Sequence, residues 1–125
     1  MAGFTLLELL AALTIVAIVA AVAVPWYRDY MATAREGALG KRIAAMAIFQ
    51  EETRLRTGSY GAGSWDPAAG EESLAAAIGW QPATDDGATF VVTAEADAWT
   101  VIATDASGAT LCRVLPANDP CTQGE

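Results

Sequence analysis

Apolar side chains run almost unbroken from Phe4 to Val24, interrupted only by Thr5, Glu8 and Thr14. A membrane-spanning helix needs roughly 20 such residues, and this run supplies them. After Pro25 the pattern takes on a helical period. Tyr27, Met31, Ala34 and Ala38 follow one stripe, and Leu39, Ile43, Met46 and Phe49 follow another, with charged residues on the remaining faces. The stripe shifts at Gly37 and Gly40, each costing about 1 kcal/mol in a helix interior. The period dies at Thr57-Gly58-Ser59, where Gly58 can cap the C-terminus. Proline in a membrane helix removes one hydrogen bond and bends the axis without having to end the helix. One helix from Phe4 to about Arg56 is therefore expected, roughly 80 Å long at the helical rise.

The pattern changes again after the helix. From Gly61 to Gly87 the chain is rich in Gly, Ala, Pro and Asp, as a surface loop would be. Within it, Asp66-Pro67 is a plausible helix start, and Leu74, Ala75 and Ile78 mark a short amphipathic turn ending at Gly79. Strand signals follow in TFVVTAE (89–95), AWTVIAT (98–104) and ATLCRVL (109–115). Asp105-Ala106-Ser107-Gly108 reads as a hairpin turn. Phe90, Trp99 and Leu111 are candidates for the core, and Trp65 and Trp80 are read as capping the sheet. The expected class is α+β: a long N-terminal helix, transmembrane in its first half and amphipathic in its second, packed on a small antiparallel sheet.

Charge sharpens the division. The net charge is -8. Glu8 is alone before Pro25, residues 26–56 sum to about +2, and the remainder to about -9, with Arg113 its sole base. An acidic head repels phosphate backbones, so no nucleic-acid partner is expected there. Histidine is absent and no CxxC pair occurs, which disfavours zinc and leaves no imidazole base for catalysis. Adjacent acidic pairs, Glu71-Glu72 and Asp85-Asp86, read as solvated loop surface. No catalytic residue, metal or cofactor is assigned, and the chain is not read as an enzyme. Cys112 and Cys121 suit one disulfide in an oxidising compartment, against the alternative of two free buried thiols in a cytosolic domain.

The apolar run itself admits three readings. Ala21-Val22-Ala23 resembles a signal-peptidase site, but no basic residue precedes the run and it exceeds a usual signal core. A simple anchor fits the length and leaves Glu8 unexplained, since a carboxylate deep in a bilayer costs about 2.5–3.5 kcal/mol, less near an end. The third reading rests on likeness. GFTLLELLAALTIVAIVAAVAVPWYRDYMATARE resembles the N-terminus of type IV pilins, type IVa in particular, and of the related pseudopilins. More softly, QEETRLRTGSY (50–60) resembles the segment that follows their stem helix.

The resemblance implies a pilin fold and a division of the chain. Residues 1–3 would be a leader remnant removed by prepilin peptidase between Gly3 and Phe4, with N-methylation of Phe4. Residues 4–25 would form the transmembrane and assembly helix, 26–56 the stem, and 57–125 a head with a disulfide-bounded C-terminal loop closed by Cys112 and Cys121. Glu8 and Pro25 would serve assembly, Glu8 by neutralising the new amine of Phe4 on a neighbouring subunit. The implied partners are other copies, other pilins, the peptidase, an inner-membrane assembly platform and the membrane. The implied location is the bacterial inner membrane with the head in the periplasm, then an extracellular pilus. That filament would serve motility, adhesion or DNA uptake; the alternative role is a pseudopilin of type II secretion. Major pseudopilins of that machine hold calcium in this part of the head and generally lack the disulfide. Leaders of the family carry Lys or Arg, and Met1-Ala2-Gly3 carries neither, so basic codons are expected in frame upstream of Met1.

Overall fold

A computed structural model describes residues 3–82 and 86–121. Its longest element is helix α1, Leu6–Thr57, which runs through Pro25 without a break. Gly58, at φ 90°, ends it by donating its N–H to the Arg54 carbonyl at 2.7 Å. Glycine suits this left-handed position because it has no Cβ to clash. By internal contacts the chain forms two compact units, Met1–Ala34 and Arg35–Glu125.

The first unit is a helical segment with no interior. Every described residue from Gly3 to Tyr30 is exposed, including Leu13, Ile15, Val16, Ile18 and Val19. Of the stripe expected through Tyr27, Met31, Ala34 and Ala38, Met31 is partly covered and the other three are exposed.

The second unit has a true core. Its helical part buries Leu39, Ile43, Met46, Gln50 and Thr53, a strict four-three spacing that marks one face. Gln50 takes the place that the sequence reading gave to Phe49, which is 36% exposed. The reason is a two-point clip. The Gln50 amide donates to the Gly61 carbonyl at 2.8 Å, and its oxygen accepts the Gly61 N–H at 2.9 Å. A buried amide with both ends satisfied can replace an apolar residue.

Five strands follow in a simple antiparallel meander: β1 (Gly63–Trp65), β2 (Thr89–Ala94), β3 (Trp99–Thr104), β4 (Thr110–Leu115) and β5 (Asp119–Pro120). The three central strands fall within a residue of the predicted spans. Alternation puts Phe90 and Val92 of β2, Trp99, Val101 and Ala103 of β3, and Leu111 and Leu115 of β4 into one cluster with Leu39, Ile43 and Met46. Register supports this, pairing Phe90 with Ala103 and Trp99 with Leu115. Trp80 is buried and meets Phe90 edge to face, ring centres 4.9 Å apart, while Trp65 packs on the cluster half-buried.

Two short elements link β1 to β2. A 3-10 turn, Pro67–Ala69, follows Asp66, and helix α2, Ser73–Ile78, buries Leu74 and Ile78 before Gly79 ends it at φ 77°. The expected helix start at Asp66 thus belongs to a separate turn. β1 lies so close to α2 that a Cβ on Gly63 would stand 2.7 Å from the Leu74 backbone nitrogen.

Candidate functional site

At the N-terminus, Thr5 and Glu8 form a reciprocal capping box. The Thr5 N–H donates to Glu8 Oε2 at 2.9 Å, and the Glu8 N–H donates to Thr5 Oγ1 at 3.1 Å. The first turn of any helix leaves N–H groups without intrahelical partners, and this exchange satisfies two donors at once. The carboxylate also lies at the positive end of the helix dipole. The box sets the start of α1 at Leu6, so Gly3, Phe4 and Thr5 stand outside the helix.

This corrects the expected helix start by two residues and adds a function for Glu8 within its own chain. The signal was readable: Thr-x-x-Glu directly before an apolar run is a helix-start pattern. Glu8 Oε1 accepts no hydrogen bond among the described residues.

Phe4 is 90% exposed, and a Cβ on Gly3 would meet nothing within 4 Å. The folded chain therefore supplies no steric reason for glycine at position 3. The structure brings Gly3, Phe4 and Glu8 into one short segment and leaves Pro25 well inside α1. Lacking an N–H, Pro25 cannot donate to the carbonyl of Ala21, four residues earlier. Met1 and Ala2, the rest of the expected leader remnant, lie outside the described residues.

The head holds the remaining sites. Cys112 and Cys121 are joined by a disulfide with Cα atoms 5.1 Å apart, closing a loop over nine positions. The Cys121 N–H also donates to the Cys112 carbonyl at 3.3 Å. Asp86 forms a two-pronged pair with Arg42 of α1, one arm at 2.9 Å. That hydrogen bond is the main reason the Asp86 carboxyl lies below its ordinary value and the Arg42 guanidinium above it. Asp105 caps its hairpin by accepting from Ser107 and Ala109, and those bonds, the Ser107 hydroxyl first, hold its carboxyl low as well. Arg113, the one base after Arg56, meets Glu36 at 3.5 Å.

Asp85 lies outside the described residues. Glu71 and Glu72 are exposed. Among the described residues no group of three or more His, Cys, Asp or Glu is gathered as a metal would need.

Comparison with known proteins places the N-terminal segment. Residues 1–24 match the prokaryotic N-terminal methylation motif, the prepilin-type signature of type IV pilins. The match covers the capping box, the Gly3–Phe4 bond and the apolar run. Neither the curated proteins nor the solved structures gave a match to this chain.

Proposed function

We propose that this chain is a structural subunit of a type IV pilus, major or minor, that polymerises through its N-terminal helix. The motif marks a prepilin-type substrate that assembles into a filament with other pilins. The single observation behind the finer reading is that motif on a helix whose apolar residues find no cover in their own chain. Residues this apolar need either lipid or other helices around them. A filament subunit meets lipid first and other copies afterwards.

Glu8 fits that sequence of events. In the uncleaved chain its carboxylate is occupied by the Thr5 N–H. Cleavage between Gly3 and Phe4 creates a cationic amine at Phe4, which is then N-methylated. In a dry helical bundle that amine and the free oxygen of Glu8 on a neighbouring copy are natural partners. An unpaired buried charge costs about 3–5 kcal/mol, so copies out of register are rejected. Pro25 contributes a local weakness that lets the helix adjust as copies pack. The precursor is anchored in the inner membrane with its head in the periplasm, contacts the assembly platform there, and is carried outward in the pilus.

The Cys112–Cys121 disulfide favours the pilus over a type II secretion pseudopilus, and no catalytic role is assigned. Shearing and purifying surface fibres tests the reading. Recovery of this chain beginning at methylated Phe4 supports it. Fibres without this chain, together with failed secretion in a deletion strain, would move the assignment to the pseudopilus.

A further inference from the structure

The segment Trp26-Tyr27-Arg28-Asp29-Tyr30 directly follows the apolar run and is fully helical. Its three aromatic residues are all well exposed: Trp26 is 74% accessible, Tyr27 64% and Tyr30 69%. None of the three has an aromatic, ionic or hydrogen-bonding partner among the described residues. By contrast Trp80 and Trp99 are buried in the head. Large amphipathic rings left in water are costly, whereas the headgroup layer of a bilayer accepts their apolar bodies and hydrates their polar tips.

The spacing identifies the layer. Leu6 begins the helix and Trp26 lies twenty residues further along it, a rise of about 30 Å, which equals the thickness of a bilayer's hydrocarbon core. When Trp26, Tyr27 and Tyr30 sit in one headgroup layer, Leu6 falls at the boundary of the other. The non-helical Gly3-Phe4-Thr5 segment then lies just beyond the hydrocarbon. Glu8 is two residues inside it, close enough for its carboxylate to reach the interface.

We propose that Trp26, Tyr27 and Tyr30 form an interfacial belt that docks in the lipid headgroup layer and fixes the depth of the precursor. By doing so they hold the Gly3–Phe4 bond at the opposite membrane surface. These residues are positioning residues for cleavage and touch none of its reacting atoms. The proposal rests on the membrane-anchored reading given above.

The test uses the full uncleaved chain in phosphatidylcholine–phosphatidylglycerol vesicles. Nitroxides are attached to single cysteines introduced at Leu7, Leu10, Ile15 and Val22, since the native cysteines are bonded to each other. Accessibility to oxygen against a water-soluble nickel chelate gives the depth of each. The native chain should be deepest at Ile15, midway between Phe4 and Trp26, with Leu7 and Val22 shallow. The variant W26A/Y27A/Y30A should move or broaden that profile by about one helical turn and slow cleavage after Gly3 by purified prepilin peptidase. Y27W/Y30W, which keeps an aromatic ring at all three positions, should retain the native depth and cleavage. An unchanged depth profile in the triple alanine variant overturns the belt. A shifted profile with unchanged cleavage overturns its positioning role. Labels that are water-exposed throughout the native run would instead defeat the membrane reading itself.

Discussion

The two compact units of this chain bury their apolar residues in opposite ways. From Arg35 onward, helix face and sheet share one interior, in which Met46, Leu74, Phe90, Val101 and Ala103 are completely inaccessible. Before it, a longer and more continuous apolar run keeps each of its large side chains about half exposed or more. Hydrophobicity is therefore greatest where intramolecular packing is absent. The second unit has an interior of its own, and the first has none.

That contrast predicts unequal responses to equal chemistry. Trp99→Ala, at a site 1% accessible, should cost about 3–5 kcal/mol in denaturant unfolding of the head. Leu13→Ala, 57% accessible in the apolar run, should leave that unfolding curve unchanged. A head that responds equally to both would erase the distinction between the units.

Reduction of Cys112–Cys121 should come next, costing about 2–3 kcal/mol through the entropy of the opened loop; chemical denaturation with and without reductant measures it. Gly63→Ala should cost about 1–3 kcal/mol, because its Cβ has no room beside the Leu74 backbone. Thermal unfolding of that variant in detergent reads the change.

The smallest effect is that of acid. Asp86 and Asp105 both have carboxyls held below their ordinary value in the folded head. Their stabilisation is thus complete above the unfolded carboxyl value of about 4 and is lost as pH falls through the lower folded values. Asp86 is exposed and Asp105 is only partly buried, so each should contribute less than about 1 kcal/mol. Asp86→Asn should therefore lower stability near neutrality by that amount, flatten the profile in the acid window, and converge on the native chain below it.

Much of this organisation is legible in the sequence. The three long strands show because each alternates across a sheet with one buried face, and Asp105 to Gly108 mark a turn. The helix end shows because Gly58 follows the last periodic residue. The short edge strands β1 and β5 are not legible: three and two residues are too few to display a period, and their pairing is imposed by β2 and β4. Gln50 is hidden for another reason. A polar residue reads as surface unless its partner is known, and Gly61 is eleven positions away. At the N-terminal site, Gly3, Phe4 and Glu8 are visible as a motif. The tie between Glu8 and Thr5 is equally legible, because Thr-x-x-Glu directly before an apolar run is a capping-box pattern.

Glu8 offers the most direct measurement. Glu8→Ala in the native host should leave the head's stability, membrane insertion and cleavage after Gly3 intact, while electron microscopy shows surface fibres reduced to a small fraction of normal. Normal piliation with the variant incorporated would contradict the account, because it would mean that nothing outside the chain depends on this carboxylate.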